Sequence, residues 1–201
     1  MQLDAAGLRE RLKRAPAAFS VYGDDGAGRD PAALTAAAVL VPIVTHPGEL
    51  SVLFTQRTTH LKSHAGQISF PGGRAEPGDA SPEFTALRET QEEIGLAPER
   101  AEILGRLPDY FTRTGYRVTP VVGLLMPPLE LAPDPREVEE VFEVPLAFLL
   151  DPSNHRREAR EIQGRDASYY VLQYGGRRIW GATAGMLVNL YRHLADEPAV
   201  P

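Results

Sequence analysis

The segment from residue 81 to residue 94 constrains the fold of this 201-residue chain most strongly, because its type and both its ends can be predicted. Ser81 is a suitable N-cap, Pro82 suits the first helical position, and Gly95 is a typical helix stop. A helix is therefore expected here. The rest of the chain must pack around it.

Strands are expected on both sides of this helix. Apolar and β-branched runs between Gly and Pro residues predict strands at residues 36–44, 50–56, 67–70, 101–107, 116–125, 138–144, 167–174 and 178–180. The turns at 45–49 and at Gly175-Gly176 predict hairpins, and Pro42 predicts an edge position or a bulge. Because strands and helices do not alternate strictly, we expect an α/β fold with a central mixed β-sheet and flanking helices, not a doubly wound sheet.

Helices are also expected near both ends of the chain. Residues 5–15 predict a short amphipathic helix with Leu8 and Leu12 on one side, and 145–150 predict a helical turn. A closing helix at 182–195 has four inward positions: Met186, Leu187, Leu190 and Leu194. Residues 16–31 predict a loop or linker. We therefore divide the chain into an N-terminal helix and linker, 1–30, and a single domain, 31–197.

Composition argues against several classes of function. The net charge of −6 disfavours a surface that tracks nucleic acid. The absence of cysteine excludes disulfides, thiol nucleophiles and Cys-ligated metals, and it suits a reducing cytoplasm. The first twenty residues lack a signal-peptide pattern, and the best apolar run, 36–44, is far too short to span a membrane. We expect a cytoplasmic protein with a small-molecule partner, without nucleic acid or membrane.

Carboxylates cluster on the 81–94 helix. At about 100° per residue, three apolar positions predict a core-facing stripe: Phe84, Leu87 and Ile94. Three glutamates fall on the opposite face: Glu89, Glu92 and Glu93. Like charges one turn apart repel, so either Arg88 or a hard divalent cation must offset them. A solvated acidic helix face is the alternative interpretation of this pattern.

The surrounding residues resemble the Nudix hydrolase signature. Phe70-Pro71-Gly72-Gly73 precedes the helix, and the downstream half of the signature matches as Arg88, Glu89, Glu92, Glu93 and Gly95. The upstream half fits only with one extra residue after Gly73, which puts Asp79 near the expected glutamate. The resemblance implies a Nudix-type α/β/α sandwich. It also implies divalent-metal-dependent hydrolysis of a nucleoside diphosphate linked to another group.

Three further segments resemble the coenzyme A pyrophosphatase branch of that family. They are residues 53–73, which carry Leu61-Lys62-Ser63-His64-Ala65-Gly66 before Phe70, and residues 115–123 and 180–184. The resemblance runs from about Ala36 to Leu194. It implies that Mg²⁺ or Mn²⁺ supports cleavage of coenzyme A or its derivatives to 3′,5′-ADP and 4′-phosphopantetheine.

The resemblance also implies roles for individual residues. Glu89 and Glu93 would be metal ligands, with Glu92 a supporting or second-metal ligand, and Arg88 would pair with these glutamates. Gly72 and Gly73 would let the backbone approach the metal or the diphosphate. Glu137 occupies the position expected for a general base. Glu139, Glu140 or a helix glutamate remain alternatives.

Four basic side chains lie close together in an otherwise acidic chain: Arg57, His60, Lys62 and His64. Coenzyme A carries a 3′-phosphate besides its diphosphate, so this loop is a candidate for substrate binding. For the two histidines, core or capping roles are equally open.

Other functions remain possible on the same fold. One is a Nudix diphosphatase for ADP-ribose, NADH or a dinucleotide polyphosphate. Another is a non-catalytic nucleotide-binding domain, which the three intact helix glutamates disfavour. RNA cap removal finds little support in a chain of net charge −6. The sequence allows a monomer or a homodimer, because the first helix could dock on its own chain or on a second subunit.

Overall fold

The computed structural model describes residues 3–13, 33–60, 65–162 and 165–195. Its helices are α1 Ala5–Leu12, α2 Pro82–Ile94, α3 Leu146–Leu149 and α4 Ala182–Ala195. Its first six strands are β1 Thr35–His46, β2 Glu49–Arg57, β3 Ile68–Ser69, β4 Gly72–Arg74, β5 Ala101–Arg106 and β6 Tyr110–Phe111. The others are β7 Tyr116–Leu125, β8 Val138–Pro145, β9 Arg156–Ile162, β10 Arg165–Tyr174 and β11 Arg177–Trp180.

The main sheet is mixed, as the sequence predicts. Its path runs β3-β2-β1-β7-β5, with β4 added to β1, β6 to β7 and β8 to β2. Strands β1 and β7 pair in parallel, from Thr35 opposite Tyr116 to Val44 opposite Leu125. Strands β1 and β2 form the expected antiparallel hairpin.

Pro42 lies in the central strand of this sheet, so the expected edge position is wrong. On one side β1 pairs with β7, and on the other it pairs with β4 through residues 37–39 and with β2 through residues 43–46. Leu40 N–H donates to the Pro71 carbonyl on that second side. Residue 42 faces the same side two positions later, between the two antiparallel partners. The missing N–H of proline therefore falls where the ladder is already interrupted.

Helices cover both faces of the sheet. Ala86 and Ile94 of α2 pack against Leu40 and Val121 on one face. On the other face α4 and α1 join a larger core through Leu8, Leu187 and Leu190. This arrangement is the expected α/β/α sandwich. None of the helices in the described residues is long and apolar enough to cross a membrane.

Helix α1 docks on its own chain. Leu8 is fully buried, Leu12 is nearly so, and the Arg9 guanidinium pairs with both carboxylate oxygens of Glu102 on β5 at 2.8 and 2.6 Å. The helix ends three residues before the predicted 5–15 boundary. The linker predicted at 16–31 lies outside the described residues.

A three-stranded antiparallel sheet, β11-β10-β9, packs beside the main sheet. The predicted hairpin at Gly175-Gly176 joins β10 to β11. Strand β9 was not predicted, because its charged sequence lacks apolar alternation. It becomes a strand by pairing with β10.

Candidate active site

Helix α2 begins and ends where the sequence predicts. The Ser81 hydroxyl accepts a hydrogen bond from Phe84 N–H, and Pro82 is the first helical residue. Gly95 ends the helix in the left-handed conformation, with a φ of 72°. The helix is rotated from the predicted phase. Its buried positions are Thr85, Ala86, Thr90, Glu93 and Ile94, while Phe84 is 51% exposed, so its predicted place in the core is wrong.

This rotation turns Glu93 toward strand β4. Its side chain is only 8% exposed, and one carboxylate oxygen, Oε2, accepts a 3.1 Å hydrogen bond from Gly72 N–H. One turn earlier, the Glu89 carboxylate lies directly against Gly73. A Cβ at position 73 would stand 2.4 Å from Glu89 Oε2. The two carboxylates therefore face the two glycines, rather than both pointing into solvent.

Position 72 requires glycine because the neighbouring backbone leaves no room for a side chain. Its φ is 150°, and a Cβ there would stand 2.4 Å from the Ala38 carbonyl oxygen and 2.5 Å from Val39 Cα. Any side chain would push β4 away from β1. The glycine pair thus brings the β4 backbone close to both strand β1 and the carboxylates of α2.

Arg57, the last residue of β2, connects carboxylates from two different elements. Its Nη1 lies 3.4 Å from Glu93 Oε1, and its Nη2 lies 3.7 Å from Glu137 Oε2. Thr58 N–H donates to the Glu137 carbonyl, which holds that loop against the end of β2. Arg57 therefore sits between the buried helix glutamate and the candidate base.

The loop carrying Glu137 is attached to the end of α2. Ala132 N–H donates to the Ile94 carbonyl at 2.8 Å, and Asp134 N–H donates to the Glu93 carbonyl at 2.9 Å. These contacts satisfy carbonyls that a helix end otherwise leaves unpaired. The same loop therefore caps the end of α2 and places Glu137 near Glu93.

Asp79 holds Arg88 in place. The two oxygens of the Asp79 carboxylate accept hydrogen bonds from Arg88 Nε at 3.1 Å and Nη2 at 3.0 Å, and also from Glu76 N–H and the Thr85 hydroxyl. Arg88 in turn reaches Glu89 Oε1 at 3.0 Å and Glu92 Oε2 at 3.1 Å. Asp79 therefore orients Glu89 through Arg88.

The electrostatics of the cluster are unbalanced. Five carboxylates, those of Asp79, Glu89, Glu92, Glu93 and Glu137, share two guanidinium groups. Burial raises the pKa of Glu93 to about 7, although Gly72 N–H and Arg57 oppose the rise. Burial also raises the pKa of Glu89. The hydrogen bonds from Arg88 hold the pKa of Asp79 far below its ordinary value.

This donor set suits a hard divalent cation. Carboxylate oxygens are the ligands that Mg²⁺ and Mn²⁺ prefer. A positive charge here would lower the raised pKa values of Glu89 and Glu93, because it favours the ionised carboxylates. Within the described residues, no three acidic or histidine side chains converge as a complete metal site. Magnesium needs only one or two carboxylates when substrate phosphates supply other ligands.

Most of the predicted site residues meet in one place: Arg57, Gly72, Gly73, Arg88, Glu89, Glu93 and Glu137. Glu92 lies at the outer side, 59% exposed and paired with Arg88. His60 is exposed in the turn after Thr58. Lys62 and His64 lie outside the described residues. Glu140 pairs with Arg177, and Glu139 is exposed.

The positioning roles of two residues could not be predicted from the sequence. Asp79 carried a signal, since it fell near a missing glutamate, but its role could not be assigned from spacing. Thr58 carried none: its side-chain hydroxyl donates to the Arg136 carbonyl, a contact between distant parts of the chain.

Comparison with known proteins agrees with this geometry. The NUDIX domain model matches residues 34–163. An uncharacterized Nudix hydrolase NudL from Photorhabdus laumondii is 42% identical over 154 residues, 77% of this chain and 82% of the relative. The protein of the same name from Escherichia coli K12 is 40% identical over 162 residues, 81% and 84% of the two chains.

A solved structure supports the fold. The Mycobacterium smegmatis Nudix hydrolase RenU superimposes with a TM-score of 0.55 at 21% identity, covering 83% of this chain and 89% of that one. Nudix hydrolases generally use divalent metals and act on nucleoside diphosphate derivatives. The NUDIX domain model matches residues 34–163, and the Escherichia coli relative is 40% identical over 81% of this chain. In agreement with its helix glutamates and its glycine pair, the chain therefore belongs to the Nudix hydrolase family.

Proposed function

We propose that this protein is a Mg²⁺- or Mn²⁺-dependent diphosphatase that hydrolyses coenzyme A or its derivatives to 3′,5′-ADP and 4′-phosphopantetheine. The observation that carries the proposal is the placement of Glu89 and Glu93 against Gly73 and Gly72. The largely buried carboxylates lie against the β4 backbone, and their oxygens are the proposed ligands of the ion that binds the diphosphate.

The carboxylates of α2 would hold the ion. Glu89 and Glu93 are its proposed ligands, and Glu92 is a supporting or second-metal ligand. When bound, a divalent ion neutralises diphosphate charge, polarises phosphorus and can activate water. Arg88, fixed by Asp79, keeps Glu89 facing Gly73. Gly72 and Gly73 leave room for the β4 backbone to lie against β1 and the Glu89 carboxylate.

Glu137 is the proposed general base. It accepts the proton of the attacking water, whose oxygen bonds to one phosphorus while the anhydride bond to the bridging oxygen breaks. The bridging oxygen leaves with the other phosphate. Glu137 is half exposed and stands on the far side of Arg57 from Glu93, so water and substrate can reach it. Glu140 is less suited because Arg177 already pairs with it. Glu139 remains an alternative.

Arg57 is the proposed phosphate-binding residue. Its two contacts are long for ion pairs, and its side chain is 27% exposed, so its guanidinium can turn to a phosphate group. His60, Lys62, His64 and the rest of this loop resemble the coenzyme A branch, which supports the choice of substrate. A cytoplasmic location, and a monomeric or homodimeric state, belong to the same proposal. The cysteine-free sequence suits a reducing compartment.

A substrate panel tests this proposal. The purified protein is incubated separately with coenzyme A, ADP-ribose and NADH, with Mg²⁺, with Mn²⁺ or with chelator, and products are identified by mass. We expect metal-dependent release of 4′-phosphopantetheine from coenzyme A. Cleavage of ADP-ribose or NADH alone would retain the diphosphatase and reject coenzyme A. Nucleotide binding without any cleavage would indicate a non-catalytic domain.

A further inference from the structure

A cavity of about 260 Å³ lies beside the catalytic cluster, between the start of α2 and the main sheet. Its apolar lining includes Ala36 and Ala38 of β1, Ala75 and Ala80 before α2, and Pro82 at the start of α2. Five of the lining side chains are alanine methyl groups.

The polar residues that line this cavity are Asp79, Ser81, Thr85, Arg117 and Thr119. The Asp79 oxygens already accept hydrogen bonds from Arg88, Glu76 N–H and the Thr85 hydroxyl. The Thr85 hydroxyl donates to Asp79 at 2.8 Å, and the Thr119 hydroxyl donates to Asp109 at 2.6 Å. Because each hydroxyl already donates its hydrogen to a carboxylate, it can only accept a hydrogen bond from a ligand. Arg117 also lines the cavity. It is 42% exposed, with a 3.7 Å ion pair to Asp109, and has further N–H donors to offer.

The cavity lies along the same helix and chain segment as the candidate metal ligands. Ala75 follows Gly73 by two residues, about 7 Å along an extended chain. Thr85 precedes Glu89 by one helical turn, about 6 Å. Strand β4 and helix α2 thus run side by side from the Gly73–Glu89 contact to the cavity. A group attached directly to a diphosphate at Glu89 is within reach of it.

The two sides of coenzyme A differ in the chemistry they would bring there. On the pantetheine side, the diphosphate is followed by a methylene, a carbon bearing two methyl groups, a carbon bearing a hydroxyl, and an amide. The branched methyl groups suit alanine walls, and the hydroxyl and amide N–H are donors for Thr85 and Thr119. A ribose, as in ADP-ribose or NADH, has no branched methyl groups to pack against the alanine side chains, and any ring hydroxyl beyond the reach of Thr85 and Thr119 would face methyl groups, which is costly.

We propose that this cavity binds the branched pantoyl segment of the substrate and thereby selects coenzyme A over other nucleoside diphosphate derivatives. The inference rests on the proposed function and extends it to named specificity residues: Ala36, Ala38, Ala75, Ala80, Thr85 and Thr119.

Filling the cavity tests the proposal. Ala36→Val adds two methyl groups at a partly buried strand position, where valine suits the backbone. Ala80→Leu fills the cavity from an exposed segment, so folding is not at risk. Ala159→Val, on an exposed position of β9, is the matched control. Binding of 4′-phosphopantetheine and of 3′,5′-ADP is measured by calorimetry with Mn²⁺, beside cleavage of the three diphosphate substrates.

We expect both cavity variants to weaken 4′-phosphopantetheine binding by about tenfold or more and to leave 3′,5′-ADP binding unchanged. Unchanged 4′-phosphopantetheine binding, or equal weakening of both products, overturns the subsite even if the wild type cleaves coenzyme A. A wild type that cleaves only ADP-ribose or NADH instead overturns the proposed function and the subsite together. The two failures are therefore distinguishable.

Discussion

At the residue scale, the ionisation of Glu93 connects burial to metal binding. Its pKa of about 7 exceeds the ordinary 4.5, because burial penalises the charged carboxylate. Between these two values the folded protein keeps a proton that the unfolded chain releases, so the free energy of unfolding falls as pH rises through that window. A divalent cation requires the ionised form and competes with this proton.

Metal affinity should therefore depend on pH. We expect Mn²⁺ affinity, measured by calorimetry, to be about tenfold weaker at pH 6 than at pH 8, because little of Glu93 is ionised at the lower pH. In Glu93→Gln the affinity should be weak at both values. Equal wild-type affinities at pH 6 and pH 8 would contradict this assignment of the buried carboxylate.

The two glycines should fail in different ways when each is changed to alanine. In Gly73→Ala the new Cβ meets the Glu89 carboxylate, which can rotate away. The protein should fold, with turnover lowered about 100-fold by the displaced ligand. In Gly72→Ala the Cβ meets the backbone of β1, so the free energy of unfolding should drop by about 2 kcal/mol or more.

Denaturation midpoints and steady-state rates, measured on both variants, separate these outcomes. If Gly73→Ala keeps full turnover, then the approach of Glu89 to β4 is irrelevant to catalysis. If Gly72→Ala is as stable as wild type, the tight packing of β4 on β1 is not required.

Asp79 should behave as a positioning residue. Asp79→Asn removes a carboxylate that holds Arg88, so kcat/KM and Mn²⁺ affinity should fall about 10- to 100-fold. The control is Glu102→Gln, which weakens a comparable two-oxygen contact with Arg9 far from the site. Equal effects of the two substitutions on Mn²⁺ affinity would reduce Asp79 to a general structural role.

At the scale of the element, the phase of α2 decides which carboxylates are buried. The helix packs on the sheet through Ala86, Thr90 and Ile94, and this brings Glu93 inward with them. Small side chains let the helix lie close to β1, whereas Phe84 near its start points to solvent. A purely apolar stripe would have left Glu93 on the surface.

This phase predicts unequal costs for two apolar truncations. Ile94→Ala should lower the free energy of unfolding by about 2–5 kcal/mol, because Ile94 is fully buried. Phe84→Ala should change it by less than about 1 kcal/mol, because half of that ring already contacts water. Chemical denaturation of both variants measures the difference. A larger loss of unfolding free energy for Phe84→Ala than for Ile94→Ala would contradict this phase and favour the stripe predicted from hydrophobicity.

Elements with local signals could be predicted from the sequence. The caps of α2, the 45–49 turn and the closing helix depend on neighbouring residues, and all three appear where expected. The phase of α2 could not be predicted from hydrophobicity, because its buried positions include Thr90 and Glu93. The position of Pro42 in the central strand could not be predicted either, because it depends on where the pairing of β1 with β4 ends and its pairing with β2 begins.

At the scale of the whole molecule, the site is an assembly of distant segments. Arg57 ends β2, Gly72 begins β4, Glu93 lies in the last turn of α2, and Glu137 precedes β8. The family resemblance names Gly72, Glu93 and Glu137 from the sequence, and Arg57 stands out as one of four basic side chains in an acidic chain. Their contacts required the tertiary structure, because one sheet and the loop that caps α2 bring them together.

In the proposed function, Glu93 supports metal-dependent cleavage of coenzyme A. The most direct measurement compares Mg²⁺-dependent release of 4′-phosphopantetheine by the wild type and by Glu93→Gln, which mimics the protonated carboxylate and should fold. We predict that the substitution lowers turnover about 10³-fold, since the metal's contribution is worth several kcal/mol. Undiminished release of 4′-phosphopantetheine by Glu93→Gln would reject this role of Glu93, and no release by the wild type would reject coenzyme A as the substrate.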